Sequence, residues 1–184
     1  MPSPLTPTQK GLLELIPAER APLLDDRDRG LGVAPQQVRE RLLAVDGWDG
    51  LAEEARSLTE SLVLLWYDHL DASHTISQSI ESPAGSYLHG MMHRREGDFW
   101  NSKYWMRRAA QFDGWDTLGQ AMRHVWESRG PEGAYPGWLE GARLDGAGFV
   151  DACERAASAG GTEEAMFRAL QQSEYEAFLL WVTA

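Results

Sequence analysis

Apolar side chains recur at Leu51, Ala55, Leu58, Leu62 and Leu65, at spacings of four, three, four and three, and His69 extends the series by four more. That period lies on one face of an α-helix, and Asp49 is placed to cap its first turn. Leu62 to Tyr67 is apolar on every side, so this helix should be central and covered by several others. Further on, Ser82-Pro83 has the form of an N-cap followed by proline at the first helical position. The helix it starts runs to Glu96, with Gly97 as its C-terminal glycine. Asp98 then caps a helix from Phe99 to Phe112. Two helices joined through Gly97-Asp98 predict a tight antiparallel hairpin.

The flanking segments read more simply. Five prolines punctuate residues 1–33, a loosely structured stretch with room for one short helix, Thr8 to Ile16. Pro35 suits the first turn of a helix over Gln36 to Val45, ended by Asp46-Gly47. Asp116 or Thr117 starts a helix to Ser128, and helices over Phe149 to Ala157 and Glu163 to Val182, the latter capped by Thr162, close the chain. Between them, residues 129–148 hold six glycines and two prolines. A loop of that length covers a site as a lid or is mobile, and one helical turn fits around Trp138 to Ala142. No segment alternates with period two. The expectation is all-α: one domain over residues 1–184, a multi-helix bundle of about seven helices.

Composition narrows the functional classes. A chain of 184 residues can bury roughly 70% of its unfolded surface as one domain. Net charge of -11 repels phosphate backbones and argues against a nucleic-acid partner. Cys153 is the single cysteine, which excludes an intrachain disulfide and fits a reducing compartment. The N-terminus lacks a basic stretch followed by an apolar run, and no run reaches the ~20 residues that span a bilayer. These features predict a cytoplasmic protein with no membrane partner.

Two resemblances attach to the middle of the chain. GDFWNSKYWMRRA resembles the second half of a tetratricopeptide unit, with Gly97, Ser102, Trp105 and Ala109 at its small and aromatic positions. No partner stands about 34 residues away on either side, so the likeness is to a single hairpin rather than a repeat array. More broadly, HTISQSI, YLHGMMHRREGDFWNSKYWMRR and FVDACE, in that order, resemble a family of small uncharacterised bacterial all-helical proteins. That likeness directly covers under a third of the chain and implies no mechanism.

Candidate chemistry concentrates in the same stretch. Trp66 to Arg108 contains four of the five histidines. His89 and His93 are four apart and Glu96 three beyond, so all three project from one helical face. If the preceding helix continues past Asp71, then Asp71 and His74 also share a face, in the manner of carboxylate–histidine pairs in helical-bundle metal sites. Asp71, His74, His89, His93 and Glu96 are therefore candidate ligands for a divalent transition metal, zinc, iron or manganese. The simpler alternative pairs His93 with Glu96, packs His89 against tryptophan and leaves Asp71 in water. Between His93 and Arg108, five basic residues stand against two acidic ones. Arg94, Asn101, Arg107 and Arg108 are candidate contacts for a small anionic ligand, and Tyr104 and Lys103 candidate catalytic groups. The competing account places these arginines at helix C-termini, where cations favour the dipole, paired with surplus acids.

Two functional readings follow. One is a metal-assisted pocket for a small anionic molecule. The other is a non-catalytic helical interaction module that displays residues such as Trp100, its histidines and arginines forming a structural network. A homodimer through the central or C-terminal helix is compatible with both.

Overall fold

The computed structural model describes residues 4–141 and 143–184. Among them are nine α-helices and no strand: α1 (Pro7–Glu14), α2 (Pro35–Leu43), α3 (Glu53–Trp66), α4 (Leu70–Ser77), α5 (Pro83–Glu96), α6 (Phe99–Arg108), α7 (Trp115–Arg129), α8 (Gly146–Ala159) and α9 (Gly161–Val182). The fold is the expected all-α bundle, and its buried apolar residues form one cluster drawn from every helix except α4, whose Leu70, Ala72 and Ile76 pack against it partly buried. No helix among the described residues is long and apolar enough to cross a membrane.

The helix count exceeds about seven chiefly because the apolar stripe through His69 is two helices. α3 stops at Trp66, where Asp68 takes φ +66°. The Asp68 N–H bonds Leu65 O and the His69 N–H bonds Leu64 O, the paired closing bonds of a Schellman motif with aspartate where glycine is usual. A non-glycine residue in this region costs on the order of 1 kcal/mol. Two ion pairs offset that cost: the Asp68 carboxylate accepts from Arg29 Nε and from Arg95 Nη2, each at 2.8 Å. His69 is thereby turned out of the helix and bonds Val33 O at 2.8 Å.

Local capping chemistry holds at the next pair. The Ser82 hydroxyl accepts from the Gly85 N–H and the Asp98 carboxylate from the Asn101 N–H, while Gly97 closes α5 at φ +84°. α6 returns alongside α5. Ser102 Oγ donates to Gly90 O at 2.7 Å, and a Cβ on Gly90 would lie 3.0 Å from Met106 Cε. Gly90 thus sets how closely the two helices approach. The expected caps Asp49 and Thr162 do not form. A 3-10 turn, Trp48–Gly50, precedes α3, whose N-cap is Ala52. α9 starts two residues earlier than expected, at Gly161 rather than Glu163, which places Thr162 inside its first turn.

α5 is buried at every position from Ala84 to Arg95, and it packs on α3, α4 and α6. The irregular N-terminal segment is anchored by α9: Arg168 Nη2 donates to Ala21 O at 2.7 Å and Gln171 Nε2 to Leu23 O at 3.0 Å. In the Gly/Pro-rich stretch, a 3-10 turn at Gly137–Leu139 buries Trp138 and Leu139. Trp138 packs on Trp126, Phe149 and Phe167, so this stretch closes the α7–α8–α9 end of the core. The helical turn expected to reach Ala142 ends at Leu139, and Ala142 itself lies outside the described residues.

Candidate metal centre

Three of the five expected ligands reach the same region. His89 and His93 project from α5, and α4 brings His74 against both. The ring centroids of His74 lie 4.8 Å from His89 and 5.4 Å from His93, edge to face. One ring nitrogen from each of the three lies within 4.8 Å of the others, and His89 Nε2 and His93 Nε2 are 2.9 Å apart. Serine contacts seat α4 on α3: Ser61 Oγ bonds both Ser73 O and Ser73 Oγ at 3.0 Å.

Hydrogen bonding fixes the proton positions. Glu96 Oε2 is 2.8 Å from His93 Nδ1, so Nδ1 carries a proton and Nε2 presents a lone pair. His89 Nε2–H then donates to that lone pair. His89 Nδ1 is left with a lone pair, buried and without a hydrogen-bond partner. A buried imidazole nitrogen in that condition is costly. Removing the proton from Nε2 and placing one on Nδ1 would give two Nε2 lone pairs facing each other, which only a cation between them makes favourable. The rings are also held in orientation: Trp105 stacks on His89 with centroids 4.1 Å apart.

His89 and His93 are 3% and 6% exposed. Burial, with the neighbouring His93 and His74 rings adding to it, pushes the His89 pKa down to about 4. His89 is thus neutral at pH 7, as a ligand must be. An unfolded histidine takes up a proton near pH 6.5, whereas folded His89 refuses one until about pH 4. This contribution is fully present above the unfolded pKa and is lost as pH falls through the window between the two. Metal-free protein should show a lower urea midpoint at pH 4.5 than at pH 7, and His89→Gln should shrink the difference. Equal wild-type and variant pH dependence would contradict the assignment.

The other expected site residues are dispersed. Asp71 is exposed in the first turn of α4, where an acid favours the helix dipole; although it stands three residues before His74 on the same helix, its carboxylate is outside the cluster of converging nitrogens. Glu96 reaches the site, with its carboxylate on His93 Nδ1 rather than among the converging nitrogens. Arg94 does not face a ligand: its guanidinium is 1% exposed against the fully buried carboxylate of Glu174, and lies 4.9 Å over the Phe149 ring. Arg108 is exposed, 5.0 Å over Trp105 and 3.4 Å from the Tyr104 hydroxyl. Arg107 lines a separate cleft of about 340 Å³ with Trp115 and Arg143. Lys103 pairs with Asp151 of α8 at 2.6 Å. Of the expected polar contacts on α6, Asn101 alone touches the rings.

The tryptophan expected against His89 is Trp105, sixteen positions on, which only the hairpin register brings to it. Two features with a supporting role were not singled out from sequence. Glu174 occupies a buried position between Leu170 and Phe178 of α9, and a charge in that apolar series was the available signal. Asp68 carried none, since aspartate is a common helix-end residue with many roles. No protein-family model, curated protein or solved structure matches the chain.

Proposed function

We propose that the protein binds one divalent transition metal ion through His74, His89 and His93, leaving a coordination position for a small anionic ligand or water. The observation that carries this reading is the convergence of three imidazoles from two helices, with their nitrogens within 4.8 Å of one another. Three neutral nitrogens and an open fourth position make up the donor set of catalytic zinc sites. An all-imidazole set suits zinc or iron better than manganese, which prefers oxygen donors. The Glu96–His93 bond supplies the carboxylate–imidazole link that orients a metal-bound histidine and raises its basicity. A metal held there would act as a Lewis acid and bring the pKa of bound water to about 7.

Protein purified without an affinity tag should carry close to one equivalent of zinc or iron. Glu96→Gln should keep the fold and weaken the metal roughly 10- to 100-fold in competition with a chelator. Substoichiometric metal that cannot be restored by reloading would overturn the reading.

One observation favours the interaction module as a second reading: Trp100 is 72% exposed on α6. In that case His93→Ala would lower the melting temperature substantially, with no metal involved, while partner binding would depend on Trp100.

A further inference from the structure

Asn101 is placed against the open side of the histidine cluster in an unusual way. Its Nδ2 lies 3.1 Å from His93 Nε2 and 3.4 Å from His93 Nδ1. No point in the ring plane is that close to both nitrogens without overlapping the carbon between them. The amide therefore sits over the ring face, a weak N–H to π contact, and takes neither lone pair. The Nδ1 direction is already taken by Glu96. Asn101 holds an amide donor beside the cluster with no strong acceptor committed to it, and it is only half-buried.

The neighbouring directions are closed. Trp105 covers one face of His89, and His74 stands edge-on to both α5 rings. On the remaining side His93 is bordered by the half-buried Asn101 and the half-exposed Glu96. A metal held by His93 Nε2 would stand beside the Asn101 amide, whose Nδ2 is 3.1 Å from that nitrogen, and an oxygen on that metal would be the strong acceptor the amide lacks.

We infer that Asn101 is the positioning residue for the metal's non-protein ligand. It donates a hydrogen bond to an oxygen of a small carboxylate-type anion, or to water, at the fourth coordination position. This rests on the metal reading above and adds to it the ligand class and the group that selects it. An oxygen anion is favoured because the amide presents a donor at the open position. A small one is favoured because His89 and His93 are both buried.

Cobalt(II) in place of the native metal makes the site visible, and acetate serves as the probe. Wild-type cobalt protein should show a saturable change in its visible absorption on titration with acetate. Asn101→Leu removes the donor, and Asn101→Asp replaces it with an acceptor of the same shape. Both should retain about one cobalt and bind acetate roughly 10- to 100-fold more weakly, the range of a hydrogen bond to a charged group. Variants that bind acetate as tightly as wild type overturn the inference and leave the metal site standing. So does a wild-type cobalt spectrum that does not respond to acetate. Wild-type protein that takes up no cobalt overturns the metal reading itself, and this inference with it.

Discussion

Replacing Glu174 with alanine is expected to lower the free energy of unfolding by about 3–5 kcal/mol, the usual cost of stranding one member of a buried ion pair. For a chain of this length that corresponds to a fall in Tm of roughly 10 °C. The size of the effect comes from what Glu174 holds. Its carboxylate is fully buried and accepts from both terminal nitrogens of Arg94 and from the Tyr87 hydroxyl. Burial opposes the Arg94 charge, and Glu174 more than restores it, so the guanidinium stays protonated. Burial and the Glu174 charge together push the Tyr87 hydroxyl well up, so it remains a donor. Alanine would leave a full positive charge and a hydroxyl without their acceptor beneath Phe149 and Phe112. Glu174→Gln keeps one acceptor oxygen and should lose less. Calorimetry or urea unfolding checks both, and a Tm within about 2 °C of wild type for the alanine variant would contradict the account.

The second large effect concerns metal affinity. His93→Ala removes one of three ligands and the only one held by a carboxylate. Metal affinity should fall more than about 100-fold, beyond the range typical of losing an outer partner. The metal-free form should change far less, because His93 contributes no ion pair to a buried charge and its Glu96 partner is already half-exposed. A competition titration gives the first quantity and unfolding of the chelated protein the second. The opposite pattern, large destabilisation without a change in metal affinity, is what a purely structural histidine network would show.

How much of this was legible in the sequence depended on whether the controlling contacts were local. The caps at Ser82 and Asp98 and the stop at Gly97 are chemistry within one turn, and all three form. The shared face of His89 and His93 is helical geometry and also holds. The break at Asp68 was hidden because it depends on Arg29 and Arg95, which lie 39 and 27 residues away. That break separates α4 from α3, and α4 carries His74 to the cluster. Likewise, the cluster of arginines is not one cationic surface, because Arg94 meets an acid 80 residues away. The details of the simpler alternative are present too: His93 pairs with Glu96, His89 packs on Trp105, and Asp71 faces solvent. Convergence of the three rings is compatible with all of them, since Glu96 and Trp105 orient the same rings from behind.

The central claim is a three-imidazole metal centre, and X-ray absorption on zinc-loaded, tag-free protein tests it most directly. The account predicts one zinc per chain with three imidazole nitrogens and one oxygen donor at about 2.0 Å, and a drop to two imidazoles in His74→Ala. A zinc shell without imidazole scattering, or one unchanged by His74→Ala, would contradict it.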